Sequence, residues 1–213
     1  MMFHDRVDAG KQLVSRLEKY RNKSDTVVIG LPRGGVVTAY EVAKALNLTL
    51  DVIFPRKVGA PFSPELAIGA VTETGEGVFN EELIMQIGVS DAYLKQEVEK
   101  EKRVAQRRLD IYRKVCPKIS LENKVVILID DGLATGATMR AAVQSVKAEG
   151  ANRIIVAVPI TPQDTLLIIK EEADEVIALD APRHFQAVGQ FYENFVGTED
   201  DEVIDILKKS RAT

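Results

Sequence analysis

The chain has 213 residues, of which 46% are hydrophobic and 28% charged; these ordinary globular values exclude disorder and suffice for one α/β domain with a real core. Its net charge of -4 offers no general attraction to DNA, RNA or an anionic membrane. The single cysteine, Cys116, excludes an intrachain disulfide framework, and neither a signal peptide nor a membrane-length apolar run is present, so the expectation is a cytoplasmic protein.

In chain order, Leu13, Val14 and Leu17 fall on one face of a helix over residues 8–20. Residues 26–30 read as a buried strand, followed by the loop Leu31-Pro32-Arg33-Gly34-Gly35 and a helix over 36–46. Gly34 and Gly35 allow backbone amides to approach an anion, and Arg33 adds a fixed charge with several donors. A plain βα turn is the alternative, and Pro32 makes Leu31–Pro32 the candidate for a cis peptide. Residues 50–54 form the next strand, ending at Pro55 and the adjacent cations Arg56 and Lys57. A Gly/Pro loop follows them, either to close over a polyanion or as a solvated basic turn. Glu65 is a candidate partner for these cations, and residues 69–78 read as a hairpin turning at Gly75-Glu76-Gly77.

Residues 80–117 read as an insertion. Ser90 is the expected N-cap of a helix from Asp91 to about Val115, with an apolar stripe of Leu94, Val98, Ala105, Leu109 and Tyr112. The insertion is expected to extend a mobile loop or to build a homodimer contact. Its basic pairs, among them Arg107-Arg108, interleave with Glu97, Glu99 and Glu101 and lack an accompanying aromatic series, which favours a solvated face over RNA binding.

Val125-Val126-Ile127-Leu128-Ile129 is the pattern of a strand buried on both faces. Asp130 and Asp131 stand where it leaves the sheet, and the small-residue loop Gly132, Leu133, Ala134, Thr135, Gly136, Ala137 and Thr138 leads into a helix. Ligands of open α/β sheets bind at the carboxyl ends of strands, and a helix N-terminus offers free N–H groups and a positive dipole end to phosphate. Two carboxylates repel a phosphate but suit vicinal sugar hydroxyls or a metal beside them, so the fitting guest is a sugar phosphate. A Walker A loop would need a lysine that is missing here, and the spacing from Gly132 to Gly136 does not fit a dinucleotide fingerprint. Strands over 153–159 and 174–179, with a helix over 161–173 between them, extend the alternation to a doubly wound, mostly parallel sheet. Beyond residue 180 the aromatics concentrate, including Phe185, Phe191, Tyr192 and Phe195, before a terminal helix over 199–209.

The 125–138 stretch closely resembles the phosphoribosyl pyrophosphate (PRPP) signature of the type I phosphoribosyltransferases. Phe3-His4-Asp5-Arg6, Leu31-Pro32-Arg33-Gly34-Gly35, Arg56-Lys57-Val58-Gly59 and residues 64–71 resemble a bacterial and archaeal group of predicted phosphoribosyltransferases. Ala137 stands where many relatives have a second glycine. The resemblance implies an α/β fold in one domain over 1–213, with a core over about 26–179, a helical insertion over about 80–117 and a C-terminal hood over about 180–213. It implies transfer of 5-phosphoribose from PRPP to a nitrogenous base with release of pyrophosphate, and Mg²⁺ held mainly through PRPP near Asp130 and Asp131. Those two aspartates would take the ribose, the loop from Gly132 to Thr138 the 5′-phosphate, and Arg33, Gly34, Gly35, Arg56 and Lys57 the pyrophosphate. Phe185 would stack on the base, or fasten the tail to the core. The competing expectation on the same fold is a PRPP- or nucleotide-sensing regulator that binds RNA through the basic helix.

Overall fold

The computed structural model describes residues 1–211, and at position 65 the backbone alone. Helix α1 (Arg6–Leu17) leads into β1 (Thr26–Gly30), α2 (Gly34–Leu46) and β2 (Thr49–Val52). Three strands follow, β3 (Arg56–Ala60), β4 (Ser63–Val71) and β5 (Gly77–Phe79), then the short α3 (Glu81–Gln86) and the long α4 (Asp91–Arg113). The chain continues through β6 (Val125–Ile129), α5 (Ala137–Ala148), β7 (Arg153–Ile160), α6 (Gln163–Glu172), β8 (Glu175–Asp180) and α7 (Asp200–Arg211).

The main sheet is parallel throughout, in the order β2-β1-β6-β7-β8. Alternate strand residues serve two cores, as the twofold period of a strand requires. Val28, Ile127, Ile129 and Ile155 pack towards α1, α2 and α7. Val27, Ile29, Val126, Leu128 and Val156 pack towards α5. That double burial is why these strands read as unbroken apolar runs. Strand order departs in opposite directions from the seam between β1 and β6, which makes that seam the switch point, where the crevice for a ligand opens in doubly wound sheets.

Residues 56–60 form a strand, not the expected Gly/Pro loop. They pair antiparallel with β4, which pairs with β5, in a separate three-stranded sheet. The expected hairpin is its second half, closed where the Thr72 N–H donates to Glu76 O at 2.9 Å. Backbone pairing across to β4 outweighs the turn-like composition around Gly59, Ala60 and Pro61.

Helix α4 starts at its expected cap, the Ser90 hydroxyl accepting from the Tyr93 N–H at 3.2 Å. Its apolar stripe turns inward along its length. Leu94 and Val98 pack on Val58, Ile68 and Val71 of the small sheet, while Ala105, Leu109 and Tyr112 enter the core beside α2 and α7. The Tyr112 hydroxyl donates to Asp200 at 2.7 Å. The helix therefore braces the small sheet against the main one. Among the described residues, no helix is long and apolar enough to cross a membrane.

Residues 3 and 4 meet the segment between β8 and α7. Phe3 bridges Tyr192 in parallel, with N–H donation from Phe3 to Phe191 O at 2.8 Å, from Glu193 to Phe3 O at 2.9 Å and from Asn194 to His4 O at 2.9 Å. Phe3, Phe191 and Tyr192 are buried there with Ala9 and Ile160.

Candidate functional site

β1 and β6 are neighbours in register, Gly30 beside Ile129, and the Leu31 N–H donates to Ile129 O at 3.0 Å. The loops after both strands therefore leave the same edge of the sheet side by side. The contact between them is close. A β-carbon on Gly34 would stand 2.1 Å from Asp131 Oδ2, and one on Gly35 would stand 2.7 Å from Asp130 Oδ1 and 2.8 Å from Asp130 Cα. A side chain at Gly35 would meet backbone and one at Gly34 would displace the Asp131 carboxylate, so the N-terminus of α2 lies directly against the acidic pair. The cis peptide in this loop is Pro32–Arg33; local energetics favour the bond before a proline, but the fold places it at the bond after.

The carboxyl of Asp130 is covered by the Gly35 backbone although the residue as a whole is half-buried. Burial first, and the charge of Asp131 second, push it well above the usual carboxylate range. Its Oδ1 accepts the Asp131 N–H at 2.8 Å. Asp131 is held from the N-terminal segment and from the segment between β8 and α7. Its Oδ2 accepts from Arg6 Nε at 2.6 Å, and its main-chain oxygen accepts from the Tyr192 hydroxyl at 2.5 Å. Arg6 Nη1 donates to Val196 O at 2.7 Å, and the guanidinium lies 3.9 Å from the Phe195 ring centroid. Burial raises the Tyr192 hydroxyl pKa, so it remains a donor.

Beyond the acids, the loop reaches α5 through Gly136, whose φ of +75° is the left-handed backbone that glycine tolerates. Gly132 serves by its lack of a side chain instead, since a β-carbon there would meet Val188 and Ile160 at 2.6 and 2.7 Å. Leu133 is buried among Leu128, Met139 and Val143, and its N–H donates to Ile160 O at 2.9 Å. Leu133 thus anchors the loop. Ala134 and Thr135 are exposed at its crest, and Ala134 O accepts from the Thr165 hydroxyl at 2.6 Å. Ala137 and Thr138 open α5, whose first-turn amides have no intrahelical acceptor. The dipole and these amides suit a phosphate.

The expected cations are distributed differently. Arg33 stands at the N-cap of α2, beside the acids, and its Nη1 donates to Glu199 at 2.8 Å. Arg56 turns towards α4, its Nε donating to Glu101 at 2.8 Å. Lys57, the next residue of β3, is half-buried and faces the opposite side of that strand. The Glu65 side chain lies outside the described residues. Phe185 stacks on Phe191 with centroids 5.4 Å apart and packs on the terminal aromatic cluster, the arrangement of a fastened tail. Sequence reasoning did not single out Arg6, Tyr192, Phe195 or Glu199 as parts of the site. The available signals were the Phe3-His4-Asp5-Arg6 run and the concentration of aromatics beyond residue 180.

Among the described residues no group of three or more His, Cys, Asp or Glu side chains converges. The acidic pair supplies hard carboxylate oxygens, which fits Mg²⁺ as that ion is commonly held, by one or two carboxylates together with substrate phosphates.

A family model described as the phosphoribosyl transferase domain matches residues 4–195. The chain is 44% identical over 209 residues to "Putative phosphoribosyl transferase Rv0571c" of Mycobacterium tuberculosis H37Rv, covering 98% of this chain and 47% of the relative. It thus spans about half the length of the curated relatives it matches. The crystal structure of TT1426 from Thermus thermophilus superposes with a TM-score of 0.85 at 43% identity, covering 98% of this chain and 99% of that one. Purine phosphoribosyltransferase from Pyrococcus horikoshii shares the fold, with a TM-score of 0.50 at 19% identity over 93% of this chain and 97% of that one.

Proposed function

The chain belongs to the phosphoribosyl transferase domain family, and from that membership we propose that it transfers 5-phosphoribose from PRPP to a nitrogenous base, releasing pyrophosphate, with Mg²⁺ as cofactor. One observation carries the reading: at the β1/β6 switch point, an acidic pair, the helix N-terminus of α5 and a second glycine-rich helix N-terminus lie at the same edge of the sheet. A guest with vicinal hydroxyls between two phosphate groups matches that order of chemistry.

In this reading Asp130 and Asp131 accept hydrogen bonds from the ribose hydroxyls. The first amides of α5, with the hydroxyls of Thr135 and Thr138, take the 5′-phosphate. The amides of Gly34 and Gly35 face the pyrophosphate, joined by Arg33 and Lys57, with Arg56 behind them. The Arg33–Glu199 pair is exposed, with side chains 39% and 77% accessible. Such a pair is worth at most about 1 kcal/mol, so a pyrophosphate displaces Glu199 at little cost. Bound Mg²⁺ would withdraw charge from the leaving group. The protein's own contribution is to hold C1 of the ribose in line between leaving group and base and to stabilise the departing charge.

The test is pyrophosphate release from PRPP across a panel of purine and pyrimidine bases, with and without Mg²⁺. Release with one base, abolished by a chelator, is the expected result. Tight PRPP binding with no release from any base would favour a sensor on this fold instead.

A further inference from the structure

Asp131 is expected to meet the substrate, yet its side chain and its main-chain oxygen are restrained from outside the two strand-end loops. The side chain is held by Arg6, 125 residues earlier, and the main-chain oxygen by Tyr192, 61 residues later. Arg6 is itself held at three points: by Asp131, by Val196 O, and by the Phe195 ring beneath it. The Arg6 and Asp131 side chains are only 12% and 14% exposed, unlike the exposed pair of Arg33 with Glu199. A charge-assisted bond in so dry a place is strong and directional. The backbone bridges from residues 3 and 4 to residues 191–194 deliver both groups to the same aspartate. Tyr192 further packs between Phe3 and Phe195, its ring tilted to both, with centroids 5.3 and 4.9 Å away.

Building on the transferase reading above, we propose that this clasp between residues 3–6 and residues 191–196 is part of the site. Arg6 is a positioning residue that fixes the orientation of the Asp131 carboxylate by one oxygen, Oδ2. The ribose hydroxyls then meet the other oxygen without the side chain having to order on binding. The argument is one of preorganisation. A carboxylate without Arg6 would lose both its counter-charge and its fixed rotamer, and substrate binding would have to supply the ordering. A direct contact between Arg6 and the substrate is a different role with a different signature.

The experiment is a double-mutant cycle on the full chain, reading the dissociation constant of Mg²⁺-PRPP by calorimetry. The variants are Arg6→Gln, Asp131→Asn and the pair together; glutamine keeps a donor near Asp131, and the double variant places two neutral amides together. Arg6→Gln is expected to weaken binding by about tenfold, within the range of coupling for contacting groups. In the Asp131→Asn background the same change is expected to have no further effect. Equal losses in both backgrounds would overturn the proposal and leave the transferase reading standing. Absence of PRPP binding by the wild-type chain would overturn both. If Arg6→Gln does not fold, Phe195→Leu tests the same link, since it removes the platform under the guanidinium and keeps both charges. A several-fold weakening that vanishes beside Asp131→Asn supports the proposal, and unchanged affinity overturns it.

Discussion

Gly34 and Asp131 lie so close that a β-carbon on the glycine would stand 2.1 Å from the aspartate's Oδ2 and 2.5 Å from Arg6 Nε. Both neighbours are side-chain atoms, which can yield. Gly34→Ala is therefore expected to fold, at an overpacking cost of about 1–3 kcal/mol, while pushing Asp131 off Arg6. Affinity for Mg²⁺-PRPP should fall by at least about tenfold, as for other losses of a held geometry. Calorimetry alongside thermal melting separates the two effects, and an unchanged affinity would contradict the contact.

Gly35 makes the opposite case. Its missing β-carbon would meet Asp130 Cα at 2.8 Å and Ile129 O at 3.0 Å, and backbone of a central strand cannot step aside. Gly35→Ala should therefore lower stability more than Gly34→Ala does. Comparing the two denaturation midpoints checks the ordering.

Asp51 is a buried carboxylate on β2, 3% exposed at its side chain. It accepts from Arg113 at the end of α4 and from the Ile119 N–H at 3.0 Å. Arg113→Met would strand that charge, and breaking a buried pair costs about 3–5 kcal/mol. The remaining backbone donors place this variant at the lower end of the range. Replacing Asp51 by asparagine as well should recover part of the loss; urea unfolding of the single and double variants measures it.

Glu73 sits in the turn between β4 and β5, buried, with no hydrogen-bond partner from another side chain at either carboxylate oxygen. Burial raises its pKa, offset in part by nearby backbone N–H groups and Lys118, while Glu149 pushes the same way as burial. The folded state therefore holds this proton more tightly than the unfolded chain, whose glutamates titrate near about pH 4.3. Stability from this group is complete below that value and declines as pH rises through the window up to the folded pKa. Glu73→Gln removes the decline, so its melting temperature should exceed that of the wild type at pH 7 and approach it near pH 4. Melting curves that stay parallel across that range would show that Glu73 does not titrate in this way.

The β1 and β6 strands, the acidic pair and the glycine-containing loop before α5 were legible because each is a local pattern. Five apolar residues buried on both sides, two acids at the strand end and a glycine at the helix start all lie within one stretch of chain. The Ser90 cap was legible for the same reason. The β3 strand was not, because residues 56–60 carry two cations, a glycine and a following proline, and become a strand only when β4 pairs with them. The pairing of Arg56 with Glu101 was not legible either, since it arises only because α4 covers the face of β3 that carries Arg56, Val58 and Ala60.

By itself, then, the sequence determined which segments are strands of the main sheet, which loops follow them and what chemistry those loops carry. Hydrophobic period and backbone chemistry act over a few residues and leave their mark in order along the chain. Only the tertiary structure decided the partners of the charged groups: Arg6 with Asp131, Arg33 with Glu199, Arg56 with Glu101. A charged side chain on its own is compatible with any opposite charge. Strand order at the β1/β6 seam and the meeting of residues 3–6 with residues 191–196 bring one of those charges within reach, and no short-range pattern encodes that choice.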